Sequence, residues 1–251
     1  MLVPMNGKIM LVGIGPGQPE MITPQAREAI GRAGVIIGHP DTLALIAMLT
    51  QGKELLAVTS NPLERSRLAL EKAQTGATAA IVSNGDPGIY AIAATFFGYL
   101  KEHNLSADVE VVPGINLALY AAARIGAPLG GDFAAISLTD QCAPWETIQK
   151  RITSAAEADF VIALFNPLGR LGPERLKEAL AIIGRFRRPN TPAGLLSQAA
   201  THNENILITT MAQIETEKLA ADTLIIIGNS QTYTLDGRMV TPRPYLPGAG
   251  Y

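Results

Sequence analysis

Short apolar runs that end in glycine or proline recur along the first half of the chain, and the stretches between them carry helix signals. Ile9–Val12 is the first such run and stops at Gly13; Val35–Ile37 and Ala79–Val82 repeat the arrangement, and Val109–Val112, which contains Glu110, is a further strand that stops at Pro113-Gly114. Runs this short, without polar alternation, predict strands buried on both faces of a parallel sheet. Thr23-Pro24 and Asn61-Pro62 each place a side-chain acceptor at a helix N-cap and proline at the first helical position. The helix after Asn61 is expected to run through Lys72, and another covers Ile89–Lys101. Strand alternating with helix predicts an α/β fold with a parallel-rich N-terminal sheet.

The second half is less regular. Leu117–Ile125 predicts an alanine-rich helix whose small side chains permit close packing, and the domain hinge is placed there, dividing residues 1–115 from 116–251. Strands are expected at Phe133–Leu138, Phe160–Leu164, Ala193–Ser197, Asn205–Thr210 and Leu224–Ile227, with helices at Trp145–Ala155 and Pro173–Arg185. The last strands follow one another without helices between them, which predicts antiparallel pairing and a mixed C-terminal sheet. Pro242, Pro244 and Pro247 leave an irregular tail, with disorder expected over Gly248–Tyr251.

Composition narrows the function. Twenty Lys and Arg stand against 22 Asp and Glu, so no global basic field draws in nucleic acid. The longest apolar runs fall far short of the roughly 20 residues that cross a bilayer. No secretory pattern opens the chain, so a cytoplasmic location and no membrane partner are expected. The single cysteine, Cys142, excludes an internal disulfide and a four-cysteine metal site, and no metal is expected.

Three loops follow predicted strands: Gly13-Ile14-Gly15-Pro16-Gly17, Ser83-Asn84-Gly85-Asp86-Pro87-Gly88 and Pro113-Gly114-Ile115-Asn116. Open α/β sheets bind ligands beyond the carboxyl ends of their strands. Glycine lets main chain approach a ligand closely, and proline stiffens the turn. Tight strand-to-helix turns use the same residues, so one loop alone says little; three together predict a preformed cleft lined by main-chain groups. A Rossmann dinucleotide site does not fit. Gln18 stands where the third glycine belongs, Pro16 interrupts the turn, and Val35–Ile37 runs into Gly38-His39 instead of an acidic residue. No glycine-loop Lys-Ser/Thr sequence supports nucleotide triphosphate chemistry either.

The loop residues, taken with Ile22-Thr23-Pro24 and Ile89-Tyr90, resemble the tetrapyrrole methylase family. Gly126-Ala127-Pro128-Leu129, Asp132-Phe133-Ala134, Ile136-Ser137-Leu138-Thr139-Asp140, Pro144-Trp145-Glu146, Leu164-Phe165-Asn166-Pro167 and Ile226-Ile227-Gly228-Asn229-Ser230-Gln231-Thr232 are similar to its precorrin-3B C(17)-methyltransferase branch. The resemblance covers about residues 7 to 233. It implies a two-domain tetrapyrrole methylase-like fold with a cleft between the domains, usually as a homodimer. It implies S-adenosyl-L-methionine as methyl donor, and methylation of carbon 17 of a precorrin, with or without cobalt, coupled to ring contraction in cobalamin biosynthesis. Methylation at another carbon and a non-catalytic ligand-binding module stand as alternatives. Cofactor contacts carried over by motif fall on Pro16, Asn84, Gly85, Asp86, Ile89, Asn116, Leu117, Phe165 and Asn166. Two positions depart from the pattern: Asn116, where Ser or Thr is common, and His39, where tyrosine is more usual.

Methyl transfer from a sulfonium is a direct displacement and needs alignment more than a side-chain nucleophile. Ring contraction also moves protons, which asks for a general acid or base. Asp140, His39 and Asp86 are the candidates, with Tyr90 read as packing. Asp86 precedes proline and has a competing role as a turn cap; His39 precedes Pro40 and can cap a helix. The substrate carries carboxylates around a flat apolar ring, and Arg124, Arg170 and Arg175 are candidates to hold them. Arg185, Arg187 and Arg188 are expected to complement a helix dipole and receive no substrate role. Trp145 is read as a core anchor at a helix start.

Overall fold

The apolar runs of the first half become strands in the computed structural model, which describes residues 6–59, 61–169 and 172–243. In chain order the first elements are β1 Lys8–Gly13, α1 Pro24–Arg32, β2 Val35–Gly38, α2 Pro40–Leu45, β3 Glu54–Ala57, α3 Pro62–Gln74, β4 Ala79–Ser83, α4 Ile92–Glu102 and β5 Asp108–Val112. Helix α5, Leu117–Ile125, follows. Then come β6 Gly126–Ala127, β7 Phe133–Ser137, α6 Trp145–Glu157, β8 Val161–Phe165, α7 Pro173–Ile183, β9 Pro192–Ser197, β10 Asn205–Thr210, β11 Leu224–Ile227, β12 Tyr233–Leu235 and β13 Arg238–Val240. The chain divides into two units, Met1–Leu117 and Ala118–Tyr251. The tail beyond Arg243, which contains Pro244, Pro247 and Gly248–Tyr251, lies outside the described residues, as does Arg170.

In the first unit the sheet order is β3-β2-β4-β1-β5, and every pairing is parallel. All five strands therefore deliver their carboxyl ends to one edge. Alternation along each strand feeds two apolar layers. Ile9, Leu11, Ala79 and Ile81 pack with Ala69, Ala73 and the fully buried Phe96 of α3 and α4. Met10, Val12, Ala80 and Val82 pack with Ala26, Ala29 and Ile30 of α1. The Thr23 side chain accepts from the Ala26 N–H and that of Asn61 from the Leu63 N–H, so both expected caps form.

The second unit orders its main sheet β10-β9-β11-β8-β7. β7 and β8 are parallel, while β8–β11, β11–β9 and β9–β10 are antiparallel. Ile148 and Ile152 of α6 and Leu176 and Ala179 of α7 cover one face, against Ile162, Leu164, Leu195, Ile225 and Ile227. Trp145 is 8% exposed at the start of α6, a core anchor as expected. On the other face the Ile125 side chain sits on Gly194, where a Cβ would come within 2.8 Å of it.

Three details differ from expectation. Helix α4 begins at Ile92, because Tyr90 adopts φ 52° and the chain is still turning at Ile89. Tyr90 is 56% exposed and lies outside the core. Arg187 does not flank a helix dipole: α7 ends at Ile183, and the Arg187 guanidinium is buried. It donates to the carbonyls of Gly228, Ala156, Phe186 and Phe160 at 2.8–3.2 Å, and Asp159 lies 3.1 Å away. Burial pushes its pKa down.

Candidate functional site

The three glycine loops of the first unit are fastened into one assembly. Gly15 and Gly85 exchange backbone hydrogen bonds, Gly15 N–H to Gly85 O at 3.2 Å and Gly85 N–H to Gly15 O at 2.8 Å. Ile14 N–H donates to Ser83 O at 3.0 Å. Asp86 joins the second loop to the third: Oδ1 accepts from Gly88 N–H at 2.8 Å and Oδ2 from Gly114 N–H at 3.1 Å. The main chains meet where a side chain has no room. A Cβ on Gly114 would lie 2.1 Å from Gly85 O, and one on Gly13 would lie 2.6 Å from the same oxygen. Gly85 also needs its φ of 67°, a region that disfavours residues with a Cβ.

This assembly brings the first-unit candidates to the carboxyl edge of one sheet. Pro16 follows β1, Asn84, Gly85, Asp86 and Ile89 follow β4, and Asn116 and Leu117 follow β5. Asn84 and Ile89 are exposed, while Pro16, Asp86, Asn116 and Leu117 are half-buried. His39 follows β2 at the same edge, and its Nδ1 accepts from the Asp41 N–H at 3.3 Å as the N-cap of α2. The residues fit a ligand held mainly by main chain, since the loops expose backbone and small polar groups.

Within the second unit, β7 and β8 run parallel, so Asp140 and the pair Phe165 and Asn166 also share one edge. Asp140 is exposed, Phe165 is buried, and Asn166 takes φ 50° while its Nδ2 donates to Ser137 Oγ at 2.9 Å. The β9–β10 connection joins them at that edge, with Gln198 and Ala200 also at positive φ. Two carboxylates hold this loop: Asp222 accepts from Gln198 N–H at 2.8 Å, and Glu204 from Ala200 N–H at 2.7 Å.

Glu204 was not visible as a functional candidate in the sequence, yet it is a hub. Its carboxylate also accepts from Tyr120 Oη at 2.5 Å and from Arg124 Nε at 2.7 Å, so Arg124, proposed for substrate, carries a structural bond as well. Burial acts against the Glu204 carboxylate, but the donors from Tyr120, Ala200 and Arg124 outweigh it and lower its pKa. Burial and the Glu204 carboxylate together raise that of Tyr120. Arg175 is committed too: its guanidinium lies 4.6 Å from the centre of the Trp145 ring and reaches Glu178 at 3.1 Å. Glu178 in turn accepts from Trp145 Nε1 at 2.7 Å.

A cavity of about 550 Å³ opens at the opposite edge of this sheet, between the start of β9 and the chain after β11. Its polar wall is already paired internally: Asn229 Oδ1 accepts from Gln231 N–H and Thr232 Oγ1, and Thr232 meets Thr241. Among the described residues no group of His, Cys, Asp and Glu gathers as a metal site.

Comparison with known proteins gives a consistent result. The family model of the Tetrapyrrole (Corrin/Porphyrin) Methylases matches residues 8–215. A probable cobalt-factor III C(17)-methyltransferase of Salmonella typhimurium is 36% identical over 94% of this chain and 99% of its own length. A precorrin-3B C(17)-methyltransferase of Sinorhizobium sp is 34% identical over 96% of this chain and 98% of its own. The cobalt-factor III methyltransferase of Priestia megaterium is 36% identical over 96% of this chain, which spans only 46% of that longer protein. The crystal structure of the methyltransferase CobJ superposes with a TM-score of 0.89 at 32% identity, covering 94% of this chain and all of that one. A parallel sheet whose loops are fused through glycine, a mixed second sheet and these matches place the chain in the tetrapyrrole methylase family.

Proposed function

We propose that this chain transfers a methyl group from S-adenosyl-L-methionine to carbon 17 of a precorrin, with contraction of the ring, in cobalamin biosynthesis. The observation that carries the reading is the fused loop assembly, Gly15 on Gly85 and Asp86 on Gly114, in a chain whose full-length relatives bear the names of C(17)-methyltransferases. The donor supplies an electrophilic methyl on a sulfonium. The chain's part is to align it with a carbon nucleophile and exclude water, and well-oriented reactants reach effective molarities of about 10⁵–10⁸ M. Pro16, Asn84, Gly85, Asp86, Ile89, Asn116, Leu117, Phe165 and Asn166 are the proposed cofactor contacts. With both carboxylate oxygens engaged by amides, Asp86 acts first as a fastener of the loops.

Ring contraction needs a proton carrier, and His39 and Asp140 are the proposed ones beside Asp86. Nδ1 of His39 is taken by the helix cap, which leaves Nε2 for proton transfer. Arg124 and Arg175 are proposed for the carboxylates of the macrocycle, along with Arg170 outside the described residues. No described helix is long and apolar enough to cross a membrane. A cytoplasmic homodimer that binds neither membrane nor nucleic acid completes the proposal.

Calorimetry with S-adenosylhomocysteine, followed by incubation with cobalt-factor III and with precorrin-3B, tests this reading. The expected result is binding, then a product one methyl heavier whose new carbon is placed at position 17 by NMR. Absence of binding, or a methyl on another carbon, overturns it. The two acceptors also decide whether cobalt is present when the ring is methylated.

A further inference from the structure

Two buried side-chain polar atoms among the described residues have no hydrogen-bond partner, Arg65 Nε and Ser83 Oγ, and both lie in the first unit. They share one face of its sheet. Ser83 ends β4, and alternation puts it on the side of Ala79 and Ile81. Arg65 precedes Ala69 by one helical repeat and Ala73 by two, on the stripe of α3 that packs against that side. The parallel connection from β3 sets the first turns of α3 at the carboxyl edge of the sheet, where the glycine loops also stand.

An arginine in that position is anomalous. Its neighbour Arg67 is held by Glu64 and Glu71 on the solvent side of the helix, and the buried Arg187 spends its donors on carbonyls. Burial alone lowers the pKa of Arg65, with no carboxylate contributing. A guanidinium brings five donors in a planar fork suited to a carboxylate. Keeping one partly desolvated without a counter-charge costs stability, a cost that function at a ligand edge explains.

We propose that Arg65 binds a carboxylate of a small molecule held at the loop edge of the first unit. This rests on the function proposed above, which offers two sources: the methionyl carboxylate of the donor, or a side-chain carboxylate of the tetrapyrrole. The unpartnered Ser83 hydroxyl marks the same layer as one prepared for a polar ligand.

Arg65→Met keeps the aliphatic stem and removes the charge, and Arg65→Lys keeps the charge without the fork. Arg65→Met is expected to hold or raise the thermal midpoint while weakening one ligand by about tenfold or more, with partial recovery in Arg65→Lys. A weaker S-adenosylhomocysteine Kd assigns the donor carboxylate. A raised acceptor KM at nearly constant kcat assigns the macrocycle. Succinate should raise the midpoint of the wild type and not of Arg65→Met, a readout independent of turnover. If wild type shows no binding and no methylation, the function reading fails, while the succinate result still judges Arg65. An unchanged Kd, KM and succinate response in Arg65→Met overturns the proposal, whether or not the midpoint falls.

Discussion

The loop edges of the two units solve the same problem by opposite means. In the first, the main chains of three loops touch directly, and glycines at positions 13, 85 and 114 make the contact possible. In the second, carboxylates and an amide do much of the fastening, through Glu204, Asp222 and the Asn166–Ser137 pair, beside one backbone bond from Leu138 N–H to Phe165 O. There the positive-φ positions fall on Asn166, Gln198 and Ala200 as well as on Gly169. Strained backbone of that kind persists when surrounding bonds over-determine it. The first edge is therefore intolerant of added volume, and the second is intolerant of lost polar partners.

The largest effect is expected away from the loop edges, at the buried Arg187 of the second unit, which sets the scale for lost polar partners. Arg187→Met should cost about 3–5 kcal/mol, because it strands buried carbonyls that water replaces only in part. Chemical denaturation should show the loss as a lower midpoint. In the first unit one carbon suffices: Gly114→Ala places a Cβ against Gly85 O and should cost about 1–3 kcal/mol or more. It should also weaken S-adenosylhomocysteine binding well beyond its effect on folding, by calorimetry. If Gly114→Ala is neutral, the loops do not meet as described.

Glu204→Gln gives the smallest effect, about 1 kcal/mol, since the amide still accepts one of its bonds. Its pH dependence sharpens the comparison. The folded pKa of Glu204 lies below its ordinary 4.5, so its contribution is present above about pH 4.5 and disappears as pH falls through the lowered value. The gap in thermal midpoint between wild type and Glu204→Gln should close on acidification, and a gap that widens would sink the assignment.

The central strands β1, β2 and β4 were legible because they are buried on both faces and leave uninterrupted apolar runs. Thr23 and Asn61 declared their helices by cap and proline. Edge strand β3 was not legible, because Leu55 is exposed and Glu54 interrupts the pattern. Helix α2 is six residues long and shows only its cap at His39. The β12–β13 hairpin does carry a signal, Asp236-Gly237, whose φ values of 47° and 71° suit a tight turn. The prolines that follow drew the reading towards an irregular tail instead. At the candidate site, the loops were readable since glycine and proline act locally. Glu204 there, and Arg187 at the opposite edge of its sheet, were not, for their partners Tyr120, Arg124, Ala156 and Gly228 lie far off in sequence. Arg65 carried a faint mark, a cation at the apolar positions of an amphipathic helix.

A third sheet, ordered β12-β13-β6, joins strands far apart in the chain and so sets an order of assembly during synthesis. Val240 pairs with Ala127, Met239 is fully buried, and Thr241 N–H donates to Ala127 O. The earlier partner has thus emerged on the order of a hundred residues before the later one. At roughly 5–20 residues per second on the ribosome, the first unit closes while β6 waits on the order of ten seconds for β13. During that interval the unpaired edge of Gly126–Ala127 stays open to the wrong partner, and slower translation there lengthens the exposure.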